Sequence, residues 1–165
     1  MTDYRYTTLA SPIGDLIIVA ADDRIAAIHF DGQGLDRFRR GTPVREDEWP
    51  VLADARQQLN EYFAGKRRDF DLPLDFGGTD FQRSVWETLL TIPHGATWSY
   101  ADVANRLGKP AATRAVGAAN GQNPIPIVGP CHRVIGKNGS LTGFGGGLPL
   151  KEKLLALESG QGKLL

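Results

Sequence analysis

Cysteine is almost absent from this chain: Cys131 is the only one in 165 residues. A single thiol cannot close an internal disulfide, so the sulfur is either an inert packed group or a reactive one. An excess charge of one sign is missing too, since 19 Lys and Arg offset 19 Asp and Glu. That balance argues against a protein that coats nucleic acid through bulk charge. No stretch approaches about 18 consecutive apolar residues. The opening Met1-Thr2-Asp3-Tyr4-Arg5 lacks the charged-then-apolar order of an export signal. These absences point to a cytoplasmic protein with no membrane partner. Repeats and low-complexity runs are lacking, and the composition, 41% hydrophobic and 23% charged, is ordinary. Such a chain builds one medium domain or two small ones around a real core.

The charge that is present is unevenly spread. Residues 1–99 hold 11 basic and 16 acidic side chains, whereas residues 100–165 hold 8 basic and 3 acidic. A polyanion would be repelled by the first part and attracted to the second, which carries the cysteine. Asymmetry of this size is also common between the halves of ordinary chains.

Residues Tyr6 to Phe30 alternate apolar runs with the turn signals Ser11-Pro12-Ile13-Gly14 and Asp22-Asp23, which predicts β-structure. Leu52, Ala55, Leu59, Tyr62 and Phe63 recur at helical spacing before the stop at Gly65. Phe70, Leu72 and Leu74 alternate as a short strand. Asp75-Phe76-Gly77-Gly78 reads as a boundary, giving a sheet-plus-helix domain over 1–75 and a second domain over 76–165. Thr79 and Gln82 form a capping box for a helix to about Leu90. Ser99 can cap a helix over Tyr100–Leu107 that ends at Gly108, and a second helix covers Ala111–Ala119. This pair has the helix-turn-helix pattern. Its second member is nearly bare: Ala111, Ala112, Ala115, Gly117, Ala118 and Ala119 leave little bulk, and Arg114 projects from it. Such a surface suits close packing against another helix or entry into a nucleic-acid groove. Ile125, Ile127 and Val128 read as a short buried strand leading into Cys131. Gly143-Phe144-Gly145-Gly146-Gly147 is a loop, and Leu150, Leu154, Leu155 and Leu157 define a closing helix that carries Glu158.

A nucleophilic thiolate needs a proton acceptor, and the acceptor needs orienting. His132 is adjacent to Cys131, but in extended backbone neighbouring side chains point to opposite faces. A bridging water, or a bend after Pro130, would bring the two into communication. Glu158 could orient the imidazole, and Asn123 could satisfy backbone at the preceding turn. A carboxylate, imidazole and thiol set also serves a thiol hydrolase, so these residues alone leave the reaction open.

Pro130-Cys131-His132-Arg133-Val134, taken with Arg114-Ala115-Val116-Gly117, Asn123-Pro124 and the later Gly-rich loop, resembles the O6-alkylguanine-DNA alkyltransferases. The resemblance covers nearly the whole chain and is strongest from Thr79 to Glu158. It implies an α+β protein, with a small ribonuclease H-like mixed sheet first and a mainly helical part with a helix-turn-helix second. It also implies DNA repair without a cofactor: a damaged guanine is flipped out and its O6-alkyl group, or the O4-alkyl group of thymine, moves irreversibly to the thiol. Cys131 would be the acceptor, His132 the base acting through water, Glu158 the end of the relay, and Asn123 the holder of the cysteine turn. Tyr100 would assist rotation of the nucleotide, and Arg114 would fill the gap left in the stack. Ala115, Gly117 and Ala118 would enter the minor groove, which admits a helix only where its side chains are small. Val134, Phe144, Gly145 and Gly146 would line the base pocket. The implied partner is double-stranded DNA, bound by a protein that is monomeric in solution and able to assemble along the duplex.

Three departures stand out. Gly129 occupies a place where the family commonly has Val or Ile, which would loosen a strand before the nucleophile. Phe144 stands where Tyr is usual. No cysteine set lies near the N-terminus, so the structural zinc of some relatives has no ligands here, and no metal site is expected. Two rival readings make different predictions. A thiol hydrolase would turn over, and a non-enzymatic DNA-binding module would leave the thiol incidental.

Overall fold

Three strands form from the apolar N-terminal runs: β1 (Tyr4–Ser11), β2 (Gly14–Ala21) and β3 (Arg24–His29), paired antiparallel in sequence. The structure is a computed structural model describing residues 1–139, 144 and 146–161. Gly14, at φ +105°, makes the tight turn into β2 that a side chain would strain. A two-residue strand, β4 (Val44–Arg45), adds parallel to β1, so the sheet order is β3-β2-β1-β4. Helix α1 (Pro50–Phe63) packs on this sheet through Leu52, Ala55, Leu59 and Phe63. Burial of each large side chain there contributes about 1.5–3 kcal/mol. The opposite face gathers Val19, Ala21, Ala26, Ala27 and Phe38 under Tyr4, Tyr6 and Leu35.

The strand expected at Phe70–Leu74 does not form; only Leu74 bridges to Ile25. The reason lies on α1. The buried Gln58 amide takes both backbone groups of Asp71, accepting from its N–H at 2.8 Å and donating to its carbonyl at 2.9 Å. Pro73 has no N–H to offer, so the segment has too few free groups for a ladder.

The chain divides into two compact units, Met1–Phe76 and Gly77–Gln161. In the second, Thr79 and Gln82 close the expected capping box on helix α2 (Asp80–Leu89), which buries Val85, Trp86 and Leu89. Ser99 caps α3 (Tyr100–Arg106) in a second reciprocal box with Asp102. After the turn at Gly108, φ +71°, Pro110–Ala112 forms a single 3-10 turn and α4 (Thr113–Gly121) follows. The second helix of the pair therefore starts later and ends later than its sequence predicts, because Pro110 sets a tight first turn. Short strands β5 (Trp98–Ser99) and β6 (Val134–Ile135) pair in parallel. Helix α5 (Leu148–Ala156) continues into a further turn from Leu157 that breaks at Gly160, φ +93°. No helix among the described residues is long and apolar enough to cross a membrane.

The strand expected over Ile125–Val128 is also replaced, here by a hydrogen-bonded loop. Gly129 N–H donates to the Ile125 carbonyl at 2.8 Å, and Val128 N–H to the Pro126 carbonyl at 2.9 Å. Ile127 is forced to φ +73°, an uncommon state for a β-branched residue. Two prolines and the local bonds of Asn123 outweigh the strand propensity of the apolar run.

The cap on α2 predicts a measurable loss. Thr79→Ala removes the acceptor for the Gln82 N–H and should lower the unfolding free energy by about 1 kcal/mol, whereas Thr79→Ser should retain it. Urea denaturation of the three proteins measures the difference.

Candidate active site

The cysteine turn is built from Asn123 outward. Its side chain donates from Nδ2 to the Gly129 carbonyl at 2.6 Å and accepts at Oδ1 from the Ile125 N–H at 3.0 Å. One amide thus clamps both ends of the 125–129 loop. Pro130 follows at φ −79° and ψ +63°, an inverse γ-turn, with Cys131 N–H donating to the Gly129 carbonyl at 2.7 Å. Cys131, His132 and Arg133 then form one 3-10 turn with all three side chains buried. The bend after Pro130 therefore exists, and the extended geometry that a strand would have imposed does not. Gly129 is part of the clamp and no defect in a strand. A Cβ there would come within 3.0 Å of the Ile125 carbonyl and 3.3 Å of the Asn123 amide.

Behind the sulfur lies a buried charge cluster. His132 Nε2 lies 2.8 Å from Glu158 Oε2. Since a carboxylate only accepts, Nε2 carries the proton and Nδ1 keeps its lone pair. Nδ1 is buried without a hydrogen-bond partner. Arg133 grips the same carboxylate, donating from Nε to Oε1 at 2.8 Å and from Nη2 to Oε2 at 3.0 Å. Its Nη1 donates to the Ile92 carbonyl at 2.7 Å, at the end of α2. Gly95 makes room for this arrangement, since a Cβ there would approach the Glu158 carbonyl at 3.1 Å. Lys151, fully buried on α5, donates from Nζ to the Val134 carbonyl at 2.6 Å.

These contacts decide the protonation states. Burial alone would push the Glu158 carboxyl up, but the hydrogen bonds and charges of His132 and Arg133 outweigh it and hold it well below the carboxylate range. Burial lowers His132, and the pull of Glu158 offsets this only in part, so the imidazole is neutral and able to accept a proton. Burial lowers Lys151 as well, opposed by the sulfur of Cys131. Burial pushes the Cys131 thiol up to about 11, against the lowering effects of Asn123, the Lys151 charge and the backbone N–H groups of Cys131 and His132. At pH 7 that leaves roughly one molecule in 10⁴ as the thiolate. Cys131 therefore rests as a protected thiol, in the same turn as a neutral imidazole.

The remaining sequence candidates sort by exposure. On α4, Arg114, Ala115 and Ala118 are exposed, Gly117 is half-buried, and Val116, Ala119 and Asn120 face inward. The bareness of the outer face is therefore not used up in packing. Tyr100 lies beside this helix: a Cβ on Gly117 would sit 3.8 Å from its ring. Val134 is fully buried in β6, Phe144 and Gly146 are half-buried, and Gly143 and Gly145 lie outside the described residues. Two members of the cluster have no role in the sequence reading, Arg133 and Lys151. The signal for Lys151 is its register. Lys151, Leu154 and Glu158 follow at i, i+3 and i+7, so a lysine stands in the apolar stripe of the closing helix.

Family models match both units. Residues 4–76 match the ribonuclease-like domain of 6-O-methylguanine DNA methyltransferase, and residues 80–160 match the DNA binding domain of the same family. The chain is 48% identical to the methylated-DNA--protein-cysteine methyltransferase of Mycolicibacterium paratuberculosis, over 93% of this chain and 92% of that protein. It is also 48% identical to the constitutive methylated-DNA--protein-cysteine methyltransferase of Bacillus subtilis, over 93% and 94%. The crystal structure of Mycobacterium tuberculosis OGT in complex with DNA matches with a TM-score of 0.85 and 44% identity, covering 98% of this chain and 95% of that one.

The charge cluster predicts how stability follows pH. Native His132 and Glu158 both sit below their ordinary values, near 6.5 and 4.5, so the unfolded chain binds protons that the native state refuses. The stability these two groups contribute is full above pH 6.5, falls as pH drops through 6.5, and falls again below 4.5. Glu158→Gln leaves Arg133 uncompensated, which should cost about 3–5 kcal/mol at pH 7; it should remove the fall below pH 4.5 and keep the fall through 6.5, because His132 loses the pull that opposed its burial. Urea midpoints between pH 8 and pH 4 check both.

Proposed function

Because the chain belongs to the 6-O-methylguanine DNA methyltransferase family, we propose that it repairs DNA by passing the alkyl group on O6 of guanine directly to Sγ of Cys131. The observation that carries the assignment is the neutral, half-paired imidazole of His132 next to the only thiol, backed by a carboxylate that stays ionised.

In this reaction the Cys131 proton moves through a water to Nδ1 of His132. Glu158 stabilises the resulting imidazolium through the Nε2 bond. The Lys151 charge and the N–H groups of Cys131 and His132 favour the thiolate as it forms. Sulfur attacks the alkyl carbon, the S–C bond forms as the C–O bond breaks, and the electron pair stays with guanine. Guanine takes a proton back from the imidazolium, so the proton lost by sulfur ends on the base. A thioether remains. Its C–S bond has no leaving group that a base here could expel, so each molecule acts once.

Reaching O6 requires the guanine to leave the duplex, which costs a few kcal/mol and least for a damaged pair. The exposed Arg114-Ala115-Ala118 face of α4 is the part we assign to the minor groove, with Arg114 in the vacated stack and Tyr100 at the rotating nucleotide. Phe144 and the glycines near it would wall the pocket. We read the protein as a cytoplasmic monomer that can assemble along DNA.

Intact-mass analysis after incubation with an O6-methylguanine duplex should show a single gain of one methyl group in place of one hydrogen, located on Cys131. Turnover beyond one equivalent would instead mark a hydrolase. Cys131→Ser should lose alkyl uptake and keep DNA binding, whereas a non-enzymatic module would be indifferent to the change. Arg114→Ala should slow repair in duplex by at least about tenfold while leaving reaction with free O6-benzylguanine near wild type. Single-turnover rates on the two substrates separate these outcomes.

A further inference from the structure

Helix α4 has a second face that the assignments above do not use. Its buried residues are Val116, Ala119 and Asn120, and Asn120 is the one polar side chain among them, 3% exposed. The end of the helix is fixed from behind by Trp86, whose Nε1 donates to the Ala119 carbonyl at 2.8 Å. From this anchored position Asn120 points Nδ2 at the Cys131 carbonyl, 3.5 Å away, across 11 residues of sequence. Its Oδ1 is buried with no hydrogen-bond partner.

That arrangement is costly for stability alone. An unpartnered buried acceptor loses about 1–3 kcal/mol, and a 3.5 Å contact returns little of it. A leucine or methionine, with the same number of side-chain heavy atoms, would occupy this place without an unpartnered acceptor. An amide kept at such a place has its use elsewhere, and the group it faces is the carbonyl that opens the nucleophile's turn. The Cys131 carbonyl also accepts the Val134 N–H, closing the 3-10 turn that carries Sγ, the His132 ring and Arg133. Asn123 holds this turn from the N-terminal side, through Gly129. Nothing else on α4 reaches it with a polar group among the described contacts.

We infer that Asn120 is a positioning residue for the transfer reaction: its amide holds the Cys131 carbonyl, and with it the nucleophile's turn, in register with the helix whose outer face meets DNA. Catalytic hydrogen bonds are often long in the free enzyme and shorten when substrate seats. The 3.5 Å contact is in that state, and closing of the DNA on α4 would shorten it. Asn120 does not touch the alkyl group; it acts through Cys131. This inference rests on the alkyl-transfer reading.

The test uses the full-length chain with Asn120→Leu and Asn120→Met. Single-turnover rates on an O6-methylguanine duplex are measured against protein concentration, giving a maximal rate and a half-saturating concentration, both referred to the folded fraction from circular dichroism. The expected result is a maximal rate lowered about tenfold, corresponding to about 1.4 kcal/mol, with half-saturation unchanged within twofold and a Tm equal to or above wild type. A role in packing alone would lower Tm and leave the rate per folded molecule intact, and that result overturns the inference. A change confined to half-saturation assigns Asn120 to DNA binding and overturns it as well. Wild-type protein run alongside keeps the two readings apart. Failure of the wild type to take up alkyl defeats the repair assignment, whereas normal uptake by both variants defeats only the role of Asn120.

Discussion

One buried carboxylate organises the surroundings of Cys131. Glu158 accepts hydrogen bonds from both His132 and Arg133, and the three groups come from the turn after α5 and the 3-10 turn at Cys131. Arg133 extends the network to the Ile92 carbonyl at the end of α2. Desolvating such a set is expensive, and it is tolerated only because nearly every donor and acceptor is matched. Removing the anion would leave the Arg133 cation buried without its counter-charge and the His132 Nε2–H without its acceptor. The same bond that offsets this cost also fixes the His132 tautomer and leaves the lone pair on Nδ1.

Around that charge the protein sets an apparent contradiction in the nucleophile. Burial pushes the Cys131 thiol up to about 11, while a neutral base, the Lys151 charge and two backbone N–H groups stand ready to help it ionise. The two tendencies act at different moments. A thiol that ionised freely would be open to oxidation and to stray alkylating agents, and a molecule that reacts once cannot recover from either. Keeping the sulfur protonated until a proton acceptor and a substrate are both engaged gives selectivity at the expense of resting reactivity. The γ-turn at Pro130 and the Asn123 clamp keep this balance geometric, because they set where the N–H groups point.

In the proposed reaction, helix α4 would connect recognition to chemistry through its two faces. Its outer side is stripped to Arg114, Ala115, Ala118 and Gly117, a surface that a groove can approach closely. Its inner side carries Val116 and Ala119 into the core and Asn120 toward the Cys131 carbonyl. Small residues at positions 115, 117, 118 and 119 therefore leave a bare surface outside, which the proposed reaction would use for close approach, and permit tight packing inside.

Local chemistry made much of this legible from residues alone. The Thr79–Gln82 box, the Ser99 cap, the stops at Gly65 and Gly108 and the apolar stripe of α1 are short-range patterns, and each holds in the structure because its partners are three or four residues apart. The motif around Cys131 likewise named the thiol, the imidazole and Asn123, and the family resemblance pointed to Glu158 on the closing helix. What the sequence could not determine depends on groups far apart in the chain. The Gln58 amide cancels a strand 13 residues away, and Asn123 folds an apolar run into a loop. The turn and α5 bring Arg133 and Lys151 to one buried site, and only burial, which a sequence does not state, turns two ordinary cations into parts of the catalytic field. Hydrogen-bonding partners and dielectric are properties of the assembled interior, so the identity of the nucleophile was readable in advance, whereas its protonation and its neighbours were decided by the tertiary fold.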